Sequence, residues 1–121
     1  MTPEELCERL LEFAARAAKV VEALPETRLG RHIAGQLVRC GTSPAPNYEE
    51  ACAAESRADF VHKLAICLKE LRETRFWIRL TIRTQLLPQP KLAKLLEECT
   101  ELCNVIAQSI LTAKQKGGKA K

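Results

Sequence analysis

Acidic and histidine side chains are the first candidates for chemistry in this sequence, because helical proteins use them to hold metal ions. Asp59 and His62 are three residues apart, close to the Glu-x-x-His spacing of di-metal sites in helical bundles. Such a site needs the motif twice, and the other histidine, His32, is preceded at that spacing by Leu29. Asp59 also belongs to a helix-capping motif. The sequence therefore predicts no metal site and no cofactor.

Cysteines are metal ligands and disulfide partners in other proteins, but their spacing here favours neither role. Cys99 and Cys103 are four residues apart and would supply half of a thiolate site, yet no second pair has zinc-site spacing. The first residues carry acids where a signal peptide has basic residues, so we expect a cytoplasmic protein with reduced thiols. All six are interpreted as small apolar residues: Cys7, Cys40, Cys52, Cys67, Cys99 and Cys103.

Serine side chains offer no catalytic nucleophile. Ser43, Ser56 and Ser109 lie outside any nucleophile elbow, and Ser43 and Ser56 are better explained as helix caps. The sequence also has no glycine-rich phosphate loop. We therefore predict that the protein is not an enzyme.

Basic side chains are the remaining candidates, and several follow one flank of the third predicted helix. The guanidinium fork of arginine binds phosphate oxygens in pairs, so this flank fits a nucleic-acid backbone. Alternatively, the arginines pair with acidic residues of other helices or of a neighbouring subunit, and the formal charge of +4 leaves both possibilities open. No aromatic residues are expected among them, so binding would be backbone-directed and salt-sensitive. The candidates are Arg28, Arg31, Lys69, Arg72, Arg75, Arg79, Arg83, Lys114 and Lys116.

Helical segments must position all of these side chains. Hydrophobic residues make up 46% of the 121 residues and aromatic residues only 4%, which is typical of helical bundles. No apolar run approaches the ~20 residues of a membrane span, so no membrane association is expected. The prediction is an all-α protein, an antiparallel up-down-up-down four-helix bundle over residues 1–113 with a basic flexible tail over 114–121.

Capping residues and prolines predict where the helices begin and end. The first helix is expected over about residues 3–24, since Thr2 begins a capping box. The second begins near Thr27, the third opens at a capping box that starts with Ser56, and the fourth follows Pro90.

The second helix is predicted to bend between Gly41 and Pro46. Its apolar spacing continues across Pro44 to Tyr48, so the helical register survives although proline removes backbone hydrogen bonds. We expect Gly41 to end the first half, Ser43 to cap the second, and the prolines to occupy first-turn positions. The segment is therefore interpreted as a bend and not as a loop or an active site.

A second apolar face on the third helix predicts a subunit interface. At about 100° per residue, its members point away from the stripe that faces the core, and a partner usually covers such a face. The alternative is partial burial under a neighbouring loop. The predicted interface residues are Ile66, Glu70, Glu73, Trp77 and Leu80.

Three segments together resemble a known family. They are RCGTSPAPNYEEA at 39–51, ESRADF at 55–60 and LKELRETRFW at 68–77. The sequence resembles the four-helix bundle family of intervening-sequence proteins from bacterial large-subunit ribosomal RNA genes, over about residues 6–112. That family is similar to the accessory variability determinant proteins of diversity-generating retroelements. The resemblance implies a ring-shaped homopentamer, and relatives in retroelements bind a reverse transcriptase and RNA through a basic surface.

The resemblance also marks individual residues. Cys40 and Cys67 depart from the small residues usual in the family, and both substitutions keep a small side chain. Asn47 and Glu50 are the polar candidates beside the bend, either in a functional role or as partners for backbone and arginine groups. The matches are Arg39, Ser43, Asn47 and Glu50 in the helix-two motif, and Lys69, Glu70, Glu73 and Trp77 in the helix-three motif.

The predicted function is that of a non-enzymatic, homo-oligomeric bundle. It is expected to bind RNA or DNA backbone, or a nucleic-acid-processing protein, through its basic surface. The alternatives are an assembly that makes only protein contacts and, from the enzyme class, a metal-binding bundle.

Overall fold

The computed structural model describes residues 1–119, with side chains through Lys116. This part of the chain is helical and contains no strand. The helices are α1 (Pro3–Ala23), α2 (Arg28–Thr42), α3 (Pro44–Cys52), α4 (Arg57–Arg83) and α5 (Gln89–Lys119).

The helices form an antiparallel bundle in which α2 and α3 together make the second bundle helix. In cyclic order α1 packs on α2 and α3, these pack on α4, α4 packs on α5, and α5 returns to α1. Arg9 near the start of α1 pairs with Glu98 on α5, and Arg39 on α2 pairs with Glu70 on α4. The predicted up-down-up-down four-helix bundle is confirmed.

Hydroxyl caps begin three of the helices. Thr2 accepts a hydrogen bond from the amide of Glu5 at 3.1 Å, and Ser56 accepts one from the amide of Asp59 at 3.1 Å. Thr27 accepts a hydrogen bond from the amide of Gly30 at 3.0 Å. Each cap satisfies a first-turn N–H that has no partner within its helix. The predicted starts at Thr2, Thr27 and Ser56 are therefore confirmed.

The core is a continuous apolar cluster from all the helices. Leucine and isoleucine supply most of it, with Phe13 as its largest fully buried side chain. Because these residues recur every three or four positions, one stripe of each helix faces inward and the opposite face meets solvent. The fully buried large apolar side chains are Leu10, Phe13, Ile33, Leu37, Leu64, Leu71, Ile78, Leu92, Leu102 and Ile106.

The bend at Ser43 lies where the sequence predicts it, but two residues there act differently. Gly41 lies inside α2 and does not end it; a Cβ at this position would lie 2.9 Å from the Cβ of Ala17, so glycine allows α1 to approach closely. Ser43 has helical backbone angles (φ −76°, ψ −34°) and makes no side-chain cap, so that prediction is wrong. Pro44 occupies the first turn of α3, as expected.

The predicted tail begins inside a helix. Helix α5 continues through Lys119, so residues 114–119 extend the bundle's last helix. Ala120 and Lys121 lie outside the described residues, and the flexibility of the segment stays a prediction. No helix in the described chain is long and apolar enough to cross a membrane.

Candidate nucleic-acid interface

Five exposed side chains form a stripe along the outer face of α4. Their spacing alternates between three and four residues, so at about 100° per residue they lie within one sector of the helix. The core residues of α4, such as Leu64, Leu71 and Ile78, lie on the opposite face. We call this set the α4 stripe: Lys69, Arg72, Phe76, Arg79 and Arg83.

Phe76 is the member that the sequence prediction missed. Its side chain is 53% exposed, although it lies between Arg72 and Arg79 on the same flank. Its ring meets the ring of Trp77 edge-on, with the ring centres 5.0 Å apart and the planes at 81°. The prediction of no aromatic residue among the basic ones is therefore wrong. Phe76 follows Arg72 by four residues and precedes Arg79 by three, and this helical spacing alone places it on the same face as the two arginines.

The cations of the α4 stripe have no acidic partner within the described side chains. None of the nine predicted nucleic-acid-binding residues forms an ion pair there. Arg31 only donates a hydrogen bond to the carbonyl oxygen of Glu26 at 2.5 Å. Pairing with acids of the same chain is thus not observed for these residues, which leaves pairing between subunits as the alternative to nucleic-acid binding.

The remaining predicted cations lie at three different places. Arg28 and Arg31 are exposed at the start of α2, which is the end of the bundle that holds Arg83 because α2 and α4 are antiparallel. Arg75 is partly buried and faces α5, where its positive charge acts on the thiols of Cys99 and Cys103.

Lys114 and Lys116 lie at the opposite end of the bundle. Both are exposed, and Lys116 lines a cavity of about 620 Å³ with Arg57 and Phe60 at the start of α4. Arg28 and Arg31 therefore lie at the same end of the bundle as Arg83, and the two lysines lie at the opposite end.

A second set of charges is paired within the chain. Arg39 on α2 donates to Glu70 at 3.0 Å and also to Glu73, both on α4. The hydrogen bond with Glu73 is the main reason why the pKa of Arg39 is raised. Glu70 and Glu73, which we predict at a subunit interface, thus already hold α2 against α4. This does not prevent them from lying at an interface, which stays a prediction.

The apolar members of the predicted interface are partly exposed. Ile66, Trp77 and Leu80 are intermediate in exposure, and Trp77 packs against the edge of the core. Its ring meets His32 of α2 edge-on at 5.6 Å between ring centres. The indole Nε1 is buried and has no hydrogen-bond partner among the described residues. A buried donor without a partner is rare, because its lost hydration is not replaced.

The motif residues after the bend have structural partners. The side-chain amide of Asn47 donates to the carbonyl oxygen and to the Oγ of Ser43, both at 2.9 Å. Glu50 pairs with Lys63 of α4 at 3.0 Å. Asn47 therefore supports the backbone at the bend, and Glu50 joins α3 to α4 through a lysine and not through an arginine.

Four of the six cysteines are buried, as the apolar interpretation requires: Cys40, Cys67, Cys99 and Cys103. The thiol of Cys99 donates to the carbonyl oxygen of Leu71 at 3.2 Å. Burial raises the pKa of Cys67 to about 12. Cys52 is exposed, so the apolar interpretation is wrong for it. Within the described residues no three histidine, cysteine or acidic side chains come together as metal ligands.

The fold and the α4 stripe define a class: an antiparallel four-helix bundle with a bent second helix and an exposed basic face. The chain belongs to the 23S rRNA-intervening sequence protein family, whose model matches residues 5–108. The predicted family is confirmed, whereas the relation to retroelement proteins stays a prediction.

A solved structure shares this fold. It is a protein of unknown function from the S23 ribosomal protein family of Bacteroides thetaiotaomicron, 34% identical in sequence, with a TM-score of 0.81. The match covers 87% of this chain and 97% of that one. A comparison with curated proteins finds no significant match.

Proposed function

We propose that this protein is a non-enzymatic, homo-oligomeric bundle that binds the sugar–phosphate backbone of nucleic acid through the α4 stripe. The observation that carries the proposal is the contrast between two kinds of cation. Arg9 and Arg39 are neutralised by acidic residues, whereas the four cations of the stripe have no acidic partner in the described chain. Exposed, unpaired guanidinium groups are available to phosphate oxygens.

The length of the stripe suits a polyanion. From Lys69 to Arg83 it extends about 21 Å along the helix axis, at 1.5 Å per residue. Phosphate contacts carry no sequence information, so we expect weak sequence selectivity. Each phosphate contact releases counterions, so affinity should fall steeply as salt increases. The names of the family and of the similar crystal structure refer to 23S rRNA and to a ribosomal protein family, which makes RNA the first ligand to test.

The test compares two charge-reversal variants. In R72E/R79E/R83E the basic stripe becomes acidic, and binding to a fluorescent RNA should be lost at physiological salt. The matched control is K19E/K91E/K94E, which makes the same change in net charge with exposed lysines of α1 and α5. The control should keep most of the affinity, because the stripe is intact. Circular dichroism checks that both variants are folded.

Two results would contradict the proposal. Equal weakening by both variants would mean that only net charge matters. Absence of binding by the wild-type protein at low salt would leave the alternative of a protein-only assembly, in which the arginines pair between subunits.

The homo-oligomeric part of the proposal rests on the other flank of α4. Ile66, Trp77 and Leu80 are apolar side chains that are partly exposed on this flank. A neighbouring subunit that covers this flank would bury the exposed parts of Ile66, Trp77 and Leu80. A pentamer is the stoichiometry that the family resemblance implies.

A further inference from the structure

We infer that the α4 stripe binds unpaired nucleotides, in single-stranded segments of RNA or DNA, with a base stacked on the ring of Phe76. This inference rests on the proposed function and adds the kind of nucleic acid that the stripe prefers.

The first argument is the alternation of chemistry along the stripe. Arg72 precedes Phe76 by four residues and Arg79 follows it by three, so both cations are its neighbours on the helix surface, at about 5–6 Å between Cβ atoms. A single strand has the matching order, because each of its bases lies between two phosphates. Cations at both sides of one aromatic ring therefore fit a phosphate, a base and a phosphate.

The second argument is the exposure and orientation of the ring. The stripe contributes no other apolar side chain, and Phe76 exposes 53% of its surface among cations. The edge-on contact with Trp77, at 5.0 Å between ring centres, restricts the movement of the Phe76 ring before any base binds. Less conformational freedom is therefore lost when a base stacks on the ring. Pre-ordering of this kind lowers the entropic cost of binding.

The third argument separates single strands from duplexes. Bases in a duplex are already stacked and paired, so an aromatic side chain outside the helix gains no stacking contact from them. An unpaired base can turn onto the ring, and such stacking contributes roughly 1–3 kcal/mol per base, or about fivefold to about 150-fold in affinity. Phosphate contacts alone would not discriminate in this way.

The experiment measures affinity for oligouridine and for an RNA duplex of equal length by fluorescence anisotropy. Phe76→Ala should lose about fivefold or more in affinity for oligouridine and keep its affinity for the duplex. Phe76→Tyr should keep both, because an aromatic ring is retained. Leu111→Ala is the matched control, since Leu111 is also 53% exposed but lies on α5. It should change neither affinity.

Trp77 gives a second readout that a merely structural role of Phe76 would not produce. It is the only tryptophan and contacts Phe76, so a base on that ring should quench its fluorescence. At saturating oligouridine, quenching should be strong in the wild type and in Phe76→Tyr and weak in Phe76→Ala. A parallel titration with oligothymidine compares the affinity for single-stranded DNA with that for single-stranded RNA. Tighter binding of either single strand than of its duplex supports the inference.

The outcomes distinguish this inference from the proposed function. If the wild type binds single strands and duplexes equally and Phe76→Ala changes neither, the stacking inference fails while backbone binding stands. If the wild type binds no nucleic acid, the proposed function fails as well. If Phe76→Ala lowers the molecular mass of the assembly without weakening oligouridine binding, the ring is a subunit contact and the stacking inference is wrong.

Discussion

Arginine residues in this chain differ in what surrounds them, and that difference decides their roles. Arg9 makes two hydrogen bonds of 2.7 Å to the two carboxylate oxygens of Glu98, a paired geometry that joins α1 to α5. Arg39 similarly joins α2 to α4. The arginines of the α4 stripe are exposed and form no ion pair among the described side chains. The same residue type is therefore structural between helices and available for binding outside them.

The cysteine residues also differ in what surrounds them, because burial changes how readily a thiol loses its proton. Cys67 is fully buried, and desolvation raises the pKa of its thiol to about 12 from 9.0 in the unfolded chain. Below about pH 9 the thiol is protonated in both states, so its contribution to stability is fully present. As the pH rises from about 9 to about 12, only the unfolded chain releases the proton, and that contribution is lost.

We therefore expect Cys67→Ala to differ from the wild type in the pH dependence of its stability. The free energy of unfolding should fall more steeply with pH in the wild type than in the variant, between about pH 9 and the highest pH at which the protein stays folded. Urea denaturation at a series of pH values measures this. Cys52→Ala is the control, because Cys52 is exposed. A constant difference between wild type and Cys67→Ala across the range would contradict the prediction.

At the scale of helices, small residues set how closely neighbours approach. Gly41 lies where α2 meets Ala17 of α1, and an added Cβ there would be 2.9 Å from the Ala17 methyl. Gly35 lies in the same helix, and an added Cβ there would meet nothing within 4 Å. The two glycines thus share helical conformation but differ in the space around them.

Alanine substitution at these two positions should have opposite effects. Gly41→Ala should lower the free energy of unfolding by about 1–3 kcal/mol, because a well-packed contact must be forced apart. Gly35→Ala should raise it by about 0.5–1 kcal/mol, because alanine loses less backbone entropy in a helix. Urea denaturation followed by circular dichroism measures both. Stabilisation by Gly41→Ala would mean that α1 can move away without cost, against the packing described above.

Helical features that depend on near neighbours in sequence were predictable from sequence. The capping residues at Thr2, Thr27 and Ser56 act within one turn, and the bend before Pro44 follows from its missing N–H. Features that depend on contacts between helices were not predictable. The role of Gly41 depends on Ala17, and the partners of Arg39 depend on how α2 is rotated against α4.

The candidate site likewise has features that could be predicted from sequence and one that could not. The basic flank of α4 could be predicted from helical spacing, and the 3-and-4 spacing of Phe76 was present in the sequence. Its exposure was not, since an aromatic residue at a helical position is usually taken as core or as interface. Trp77 follows Phe76 directly and is partly buried. Which of the two side chains is exposed therefore depends on how α4 is rotated in the bundle.

At the scale of the whole molecule, α4 has three different faces. Its inner face builds the core, its outer face carries the α4 stripe, and the flank toward α2 carries Ile66, Leu80 and the buried edge of Trp77. A helix with apolar surface beyond what the core requires is expected to meet a partner. If copies of the chain assemble through the flank and leave the cations of the outer face exposed, several stripes would be presented on one particle. Linked sites of this kind increase the apparent affinity for a long polyanion.

Light scattering tests that assembly directly. At micromolar concentration the wild type should have a mass several times the 13.5 kDa of one chain, five times if the resemblance holds for stoichiometry. The double variant I66E/L80E should shift toward the monomer, because charges would enter an apolar contact. Neither side chain belongs to the apolar cluster of the core, so the helical content should be retained. Leu11→Glu is the control, since Leu11 is 57% exposed on α1 and should not change the mass. A wild-type monomer would refute the interface, and an unchanged mass in the folded double variant would place the subunit contact elsewhere.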